Sequence, residues 1–216
     1  MNITWIKNST FLIKNSIGKR LLIDPFNKFN NLNISTLNAN VITLSSPLNN
    51  LSLKKIIDPN IKIINSHGSF NTEIGLIEGY TTFCDNFKGA KRGENYIYTY
   101  DIDNLKLCHL GYLGENLSDD LINKIGEIDI LFLPVGGNIT LSGKEAYLLS
   151  KKISPKIIIP MNYRVNNSSF LFHGLKDFSL LLKNIKKIHS KTFSISKETL
   201  QSNGCAIILN ENYNKI

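Results

Sequence analysis

The chain is poor in cysteine, tryptophan, methionine, proline and histidine. Of its 216 residues three are Cys, one Trp, two Met, six Pro and four His. Three cysteines are too few, and odd in number, for a disulfide-stapled secreted scaffold. No apolar run approaches the roughly 20 residues that span a bilayer, so no membrane partner is expected. The opening MNITWIKNSTFLIKNSIGKR is broken by Lys7 and Lys14. It lacks the uninterrupted apolar core of a signal peptide, which predicts a soluble, cytoplasmic protein. Hydrophobic residues make up 42% of the chain, enough for a packed core, and this excludes wholesale disorder. Linkers, low-complexity tracts and internal repeats are also missing. The length suits one domain over residues 1–216.

What abounds is Asn, Ile and Lys. There are 28 Asn and 31 Ile, and 25 basic residues against 17 acidic ones give a net charge of +8. Such a charge invites a nucleic-acid reading. However, Asn, Ile and Lys share A/T-rich codons, so a coding bias raises all three without selection for a basic surface. The basic residues are also scattered, the densest groups being pairs such as Lys151-Lys152 and Lys186-Lys187. A solvated surface is expected, and nucleic acid is not an expected partner.

The first half reads as strands. Ile3 to Ile6, Thr10 to Ile13 and Arg20 to Ile23 are short β-rich runs, the last two joined as a hairpin around Asn15-Ser16-Ile17-Gly18. Val41 to Leu44, Ile61 to Ile64, Ile74 to Phe83, Tyr96 to Tyr100 and Leu105 to His109 continue the series. The second half alternates. Ser118 caps a helix with Asp119 and Asp120 in its first turn, where the helix dipole favours acids, and Gly126 ends it. Asp129 to Leu133 is a buried strand stopped by Pro134. Ser142 and Glu145 form a capping box for a helix ended by Pro155. Lys156 to Ile159 is a strand stopped by Pro160. Leu175 to Ile188 predicts an amphipathic helix with Phe178, Leu181, Leu182 and Ile185 on one stripe. Cys205 to Leu209 is a last strand. Sheets inside and helices outside follow.

Several stretches together resemble a known family. They are the opening ITWIKNSTFLIKNSIGKRLLIDPF, Cys84-Asp85 with Gly89 to Asn95 (GAKRGEN), Leu107 to Gly111 (LCHLG), Leu133 to Gly137 (LPVGG) and Ile158 to Met161 (IIPM). In this order the chain resembles small metallo-β-lactamase-fold hydrolases, the branch similar to ascorbate-6-phosphate lactonase. The resemblance implies an α/β fold, a four-layer α/β/β/α sandwich. It also implies a one- or two-metal site at the edge of two sheets, built from His-x-His-x-Asp-His and a later His, Asp and His. Such a metal lowers the pKa of bound water to about 7 and polarises the scissile bond.

At the positions the resemblance assigns to ligands, this chain has other residues. The His-x-His-x-Asp-His loop would follow Val41 to Leu44, where Ser45, Pro47, Asn49 and Asn50 stand. Cys84 stands at the next His, Tyr112 at the bridging Asp and Asn162 at the final His. Ser and Asn are weak neutral ligands, Pro has no side-chain donor, and Tyr is protonated near neutral pH. No resident cofactor is expected on this mapping; zinc or manganese enters only if the mapping is wrong. Asp24, Asp85, Lys91, Arg92 and His109 are candidate pocket residues. Asp24 is expected to order its loop, His109 to be structural, and Lys91 and Arg92 to meet solvent or an anionic ligand. His67, His173 and His189 read as surface residues.

Three functional expectations follow. The first is a catalytically degenerate protein with a binding, scaffold or regulatory role towards an unidentified ligand or protein, and with homo-oligomers as a possible state. The second is a hydrolase of a phosphoester or lactone with an altered or metal-independent mechanism using Cys84, Tyr112 or His109. The third is a nucleic-acid-binding module, which a steep salt dependence of binding would reveal.

Overall fold

Alternating apolar residues in the opening strands feed two separate cores. Phe11, Ile13, Leu21 and Ile23 join the main core, while their neighbours Leu12 and Leu22 join a small outer cluster with Leu37, Ala39, Ile42 and Leu44. A strand turns successive side chains to opposite faces, so both faces of this sheet are covered. The computed structural model describes residues 1–25, 34–46, 60–165, 171–200 and 204–209.

One sheet contains β1 (Asn2–Lys7), β2 (Thr10–Lys14), β3 (Arg20–Ile23), β4 (Val41–Thr43) and β5 (Lys62–Ile64). The short β13 (Thr192–Ser194) pairs with β1 at its edge. The β2–β3 turn is the expected one, closed by the Gly18 amide on the Asn15 carbonyl and the Lys19 amide on the Asn15 side chain. The second sheet starts with β6 (Gly68–Thr72), β7 (Gly75–Phe83), β8 (Glu94–Ile102) and β9 (Leu105–His109), an antiparallel run. It continues in parallel through β10 (Ile130–Pro134), β11 (Ile157–Met161), β14 (Cys205–Leu209) and the edge strand β12 (Ile185–Ile188).

Helices α1 (Asp119–Ile125) and α2 (Gly143–Ile153) provide the parallel crossovers, from β9 to β10 and from β10 to β11. Both have the expected caps. The Ser118 side chain accepts the Leu121 amide, Gly126 stands at the C-cap, and Ser142 with Glu145 closes a capping box. The two packed sheets and the flanking helices give the mixed α/β architecture expected of the metallo-β-lactamase type.

Three expectations need correction. The helix over 175–188 is not formed. A four-residue helix, α3 (Lys176–Ser179), precedes a turn, and Ile185–Ile188 is the edge strand. Only Phe178 of the supposed stripe is fully buried; Leu181 and Ile185 are exposed. Backbone pairing of Ile185 to Ile188 with Ala206 to Leu209 outweighs the helical spacing, and Lys186 and Lys187 guard the open edge. Pro134 is the last residue of β10, as expected, but Pro160 lies within β11 rather than ending it. Pro160 is tolerated because the ladder to β14 stops at Ile158, so its missing N–H forfeits no bond. Finally, β6 and β13 were not expected; their polar residues, such as Ser69, Asn71 and Ser194, carry no strand periodicity.

Candidate functional site

The parallel strands end on one edge of the sandwich, the general location of sites in such sheets. Asp24 follows β3, Ser45 follows β4, Gly111 and Tyr112 follow β9, and Asn162 follows β11. Asp24 and Asn162 both have left-handed backbone, with φ of 47° and 53°. Only short polar side chains accept this region readily, and such positions cluster at functional sites.

Asp24 is the centre of the arrangement. Its backbone is pinned by the Thr43 carbonyl and by the Thr10 hydroxyl donating to its own carbonyl. Oδ1 accepts the Ser45 amide at 2.6 Å. Oδ2 is buried with no hydrogen-bond partner among the described residues, as are Ser45 Oγ and Asn162 Oδ1. Burial, only partly offset by hydrogen bonding from Ser45 and Ser9, pushes the Asp24 carboxyl up to about 7. Asp24 thus fastens the turn after β3 to Ser45.

His109 is held at both ring nitrogens. It is fully buried; Nδ1 accepts the Gly111 amide at 3.2 Å and Nε2 faces the Ser9 carbonyl at 3.0 Å. The Gly111 bond requires Nδ1 to be bare, so the proton sits on Nε2. Burial depresses its pKa to about 3, so the 4.0 Å approach of Asp24 Oδ2 is not an ion pair. Cys84 is also withdrawn from chemistry. Its thiol donates to the Glu94 carbonyl at 3.5 Å, and burial raises its pKa to about 11, so it is not a thiolate at neutral pH. The structure brings no Cys84–His109 pair together.

Tyr112 is half-buried. Its amide is held by Asn95 Oδ1 at 2.7 Å and its hydroxyl accepts from Ser9 Oγ at 3.1 Å. Burial first, then the Asp24 carboxylate, hold the phenol well above its ordinary pKa. Its own proton has no acceptor among the described residues. Asn162 Nδ2 donates to the Gly111 carbonyl at 3.3 Å. Gly111 is obligatory here: with φ of 60°, an added Cβ would meet Asn95 and come within 2.5 Å of Ser45 Cβ.

Asp85 fastens its own loop. Its carboxylate accepts the amides of Phe87, Gly89, Lys91 and Arg92 at 2.8, 3.0, 3.1 and 2.6 Å. Burial opposes its ionisation, but these four bonds hold its pKa below the ordinary value. Arg92 Nε donates to the Cys84 carbonyl at 2.7 Å, and Lys91 Nζ lies 3.8 Å from the centre of the Phe87 ring. His67, His173 and His189 are exposed. Pro47, Asn49 and Asn50 lie outside the described residues. Ser9 and Asn95, which position His109 and Tyr112, were missed by sequence reasoning; nothing in an Asn-Ser turn or the end of GAKRGEN announces those long-range bonds.

The comparisons with known proteins agree with this architecture. The family described as Beta-lactamase superfamily domain matches residues 2–162. The chain belongs to this family. Relatives include a UPF0173 metal-dependent hydrolase of Anoxybacillus flavithermus, 25% identical over 195 residues, covering 76% of this chain and 86% of that one. A hydrolase of the same name from Natranaerobius thermophilus is 35% identical, but over only 31% of this chain and 30% of its own. Among solved structures, one from Thermotoga maritima is described as a Zn-dependent hydrolase of the metallo-beta-lactamase superfamily. It is 26% identical with a TM-score of 0.78, over 97% of this chain and 98% of that one.

These relatives overturn the expectation of a catalytically degenerate protein: they are named metal-dependent hydrolases, and none of these names describes a binding or scaffold protein. The histidine-rich metal centre, however, does not fit the residues present. A histidine-rich zinc centre needs free imidazole nitrogens or thiolates, with carboxylate oxygens beside them. Here both His109 nitrogens are engaged, the Cys84 thiol keeps its proton, and the unpartnered donors are oxygens. Among the described residues no group of three or more His, Cys, Asp or Glu is arranged to hold a metal. Likewise, no helix among them is long and apolar enough to cross a membrane.

Proposed function

We propose that this chain hydrolyses a phosphoester or a lactone at Asp24, by a mechanism altered from that of a histidine-ligated metal centre. The observation that carries this reading is the buried Asp24 carboxylate, whose Oδ2 stands unpartnered where the parallel strands end. A carboxylate with one free oxygen and ionisation near neutrality is suited to general-base work. Asp24 Oδ2 takes a proton from water, and the water oxygen bonds to the ester phosphorus or lactone carbon. The bond to the leaving oxygen then breaks, and that oxygen takes the proton back from Asp24. Tyr112, whose hydroxyl accepts from Ser9 and keeps its own proton, donates to the oxygen on which negative charge develops. His109, neutral and tied at both nitrogens, keeps Gly111 and the turn beneath Tyr112 in place. Cys84 and His109 have no chemical role in this scheme.

The experiment is a hydrolysis screen with phosphoester and lactone substrates, in the presence of chelator, on the wild type, Asp24→Asn and Tyr112→Phe. Asp24→Asn is expected to lower kcat by about 10²- to 10⁴-fold. Tyr112→Phe is expected to cost about 10²-fold. Unchanged turnover in Asp24→Asn overturns the base assignment. Hydrolysis abolished by chelator and restored by metal overturns the altered mechanism while leaving the hydrolase.

A further inference from the structure

Asp24 Oδ2, Ser45 Oγ and Asn162 Oδ1 are buried side-chain oxygens without a hydrogen-bond partner among the described residues. We infer that they seat a single water, and that Ser45 and Asn162 are positioning residues which hold it for Asp24 and admit water rather than an alcohol as the nucleophile. This rests on the hydrolase reading above.

Gly111 brings the three oxygens together. Its amide donates to His109 Nδ1, and Asp24 Oδ2 lies 4.0 Å from that same nitrogen. A Cβ built on Gly111 would come within 2.6 Å of Ser45 Oγ. The Gly111 carbonyl accepts Asn162 Nδ2 at 3.3 Å. All three oxygens thus lie around one turn. The Ser45 amide ties two of their side chains further, at 2.6 Å from Asp24 Oδ1. Asp24 and Asn162 reach these positions from left-handed backbone, which persists only where the surroundings enforce it.

The chemistry of the set selects its occupant. Asn162 Nδ2 is committed to Gly111, so Oδ1 acts only as an acceptor. Oδ2 of ionised Asp24 is an acceptor too, while the Ser45 hydroxyl donates or accepts. A water gives one proton to Asp24 Oδ2 and the other to Asn162 Oδ1, and receives the Ser45 hydroxyl. Buried waters make about three such bonds to polar groups that otherwise lack partners. A divalent cation is less suited, because one carboxylate and two neutral oxygens leave it with surplus charge in a buried site. An alcohol brings one proton and satisfies only one of the two acceptors. The remaining lone pair of the water attacks the ester. Asp24 takes one proton, and the other stays on the oxygen, held by Asn162, and leaves with the product.

The first test is a crystal structure of the wild type. One density peak about 2.8 Å from all three oxygens is expected. No such peak, a peak touching only one of them, or contacts of about 2.0–2.5 Å, which mark a cation, overturns the inference.

The second test is product partitioning with para-nitrophenyl phosphate or butyrolactone in aqueous methanol. Ser45→Ala is expected to lower kcat about 10-fold with KM unchanged. Asn162→Gly keeps a residue fit for left-handed backbone. It is expected to lower hydrolysis about 10-fold and to raise the ratio of methanolysis to hydrolysis by a similar factor. Tyr112→Phe slows both products together and leaves the ratio as in the wild type. A merely structural defect does the same, so the ratio reads the seat. Thermal melts identify a misfolded variant; if Asn162→Gly melts early, Ser45→Ala carries the comparison. A ratio equal in wild type and Asn162→Gly, or an unchanged kcat in Ser45→Ala, overturns the inference. Hydrolysis without the seated water sinks the inference alone. The water in place with no ester hydrolysed sinks the hydrolase reading alone.

Discussion

Replacing Asp24 by Asn should make the protein more stable above neutral pH while removing its catalytic base. The carboxyl is buried and its pKa is pushed up from 3.8 to about 7, chiefly by burial. Between about pH 4 and pH 7 the folded chain holds a proton there that the unfolded chain has released. Stability from this group is therefore fully present below pH 4, falls as pH rises through that window, and is level above pH 7. At about 1.4 kcal/mol per pH unit the fall comes to about 4 kcal/mol. Asn keeps an acceptor for the Ser45 amide and places an NH₂ group where Oδ2 lacks a partner. Urea denaturation of both proteins at pH 4.5 and pH 8 is the assay. The variant is expected within about 1 kcal/mol of wild type at the lower pH and about 4 kcal/mol above it at the higher. For a chain of this length that is a rise in Tm on the order of 10 °C. Comparing the difference between proteins at two pH values cancels all other titrating groups. A difference that does not change with pH refutes the argument, because it means the Asp24 carboxylate is ionised in the fold at no cost. A gain in stability with a loss of turnover is the trade expected where a group is kept buried for chemistry.

The remaining predictions concern the scaffold. Gly111→Ala should destabilise by about 2 kcal/mol or more, because its φ of 60° and the contacts with Asn95 and Ser45 leave no room for a methyl group; an unchanged urea midpoint would refute this. A thiol reagent at pH 7.5 should label one cysteine promptly, since Cys84 and Cys108 are buried with pKa values raised to about 11 and about 12, whereas Cys205 is partly exposed. All three should react in denaturant, and rapid labelling of Cys84 in the native protein would contradict its bond to the Glu94 carbonyl.

Much of the scaffold was legible in the sequence because it is local. The Ser118 cap, the Ser142–Glu145 box, the Asn15 to Gly18 hairpin and the buried runs of β10 and β11 depend on residues within a few positions of one another. The relevant physics acts at that range. Pro160 of β11 misled because a proline's cost depends on which neighbouring strand needs its N–H, and that is a property of the sheet. The edge strand Ile185–Ile188 misled for the same reason. Its helical spacing is real, but the unpaired edge of β14 offers more than an isolated helix with one buried residue.

The candidate site divides along the same line. The sequence by itself determined which residues stand where the resemblance calls for His and Asp: Ser45, Cys84, Tyr112 and Asn162 are among them. It also picked out Asp24 and the GAKRGEN loop as candidates. Only the tertiary structure decided what those residues do. It turned Asp85 inward onto four amides, tied His109 at both nitrogens, kept the Cys84 thiol protonated and left one Asp24 oxygen free. Hydrogen-bond partners and desolvation are set by which chain segments meet, and Ser9 meets His109 and Tyr112 across about a hundred residues. Spacing along a chain cannot encode a pKa, because burial is a property of everything packed around a group.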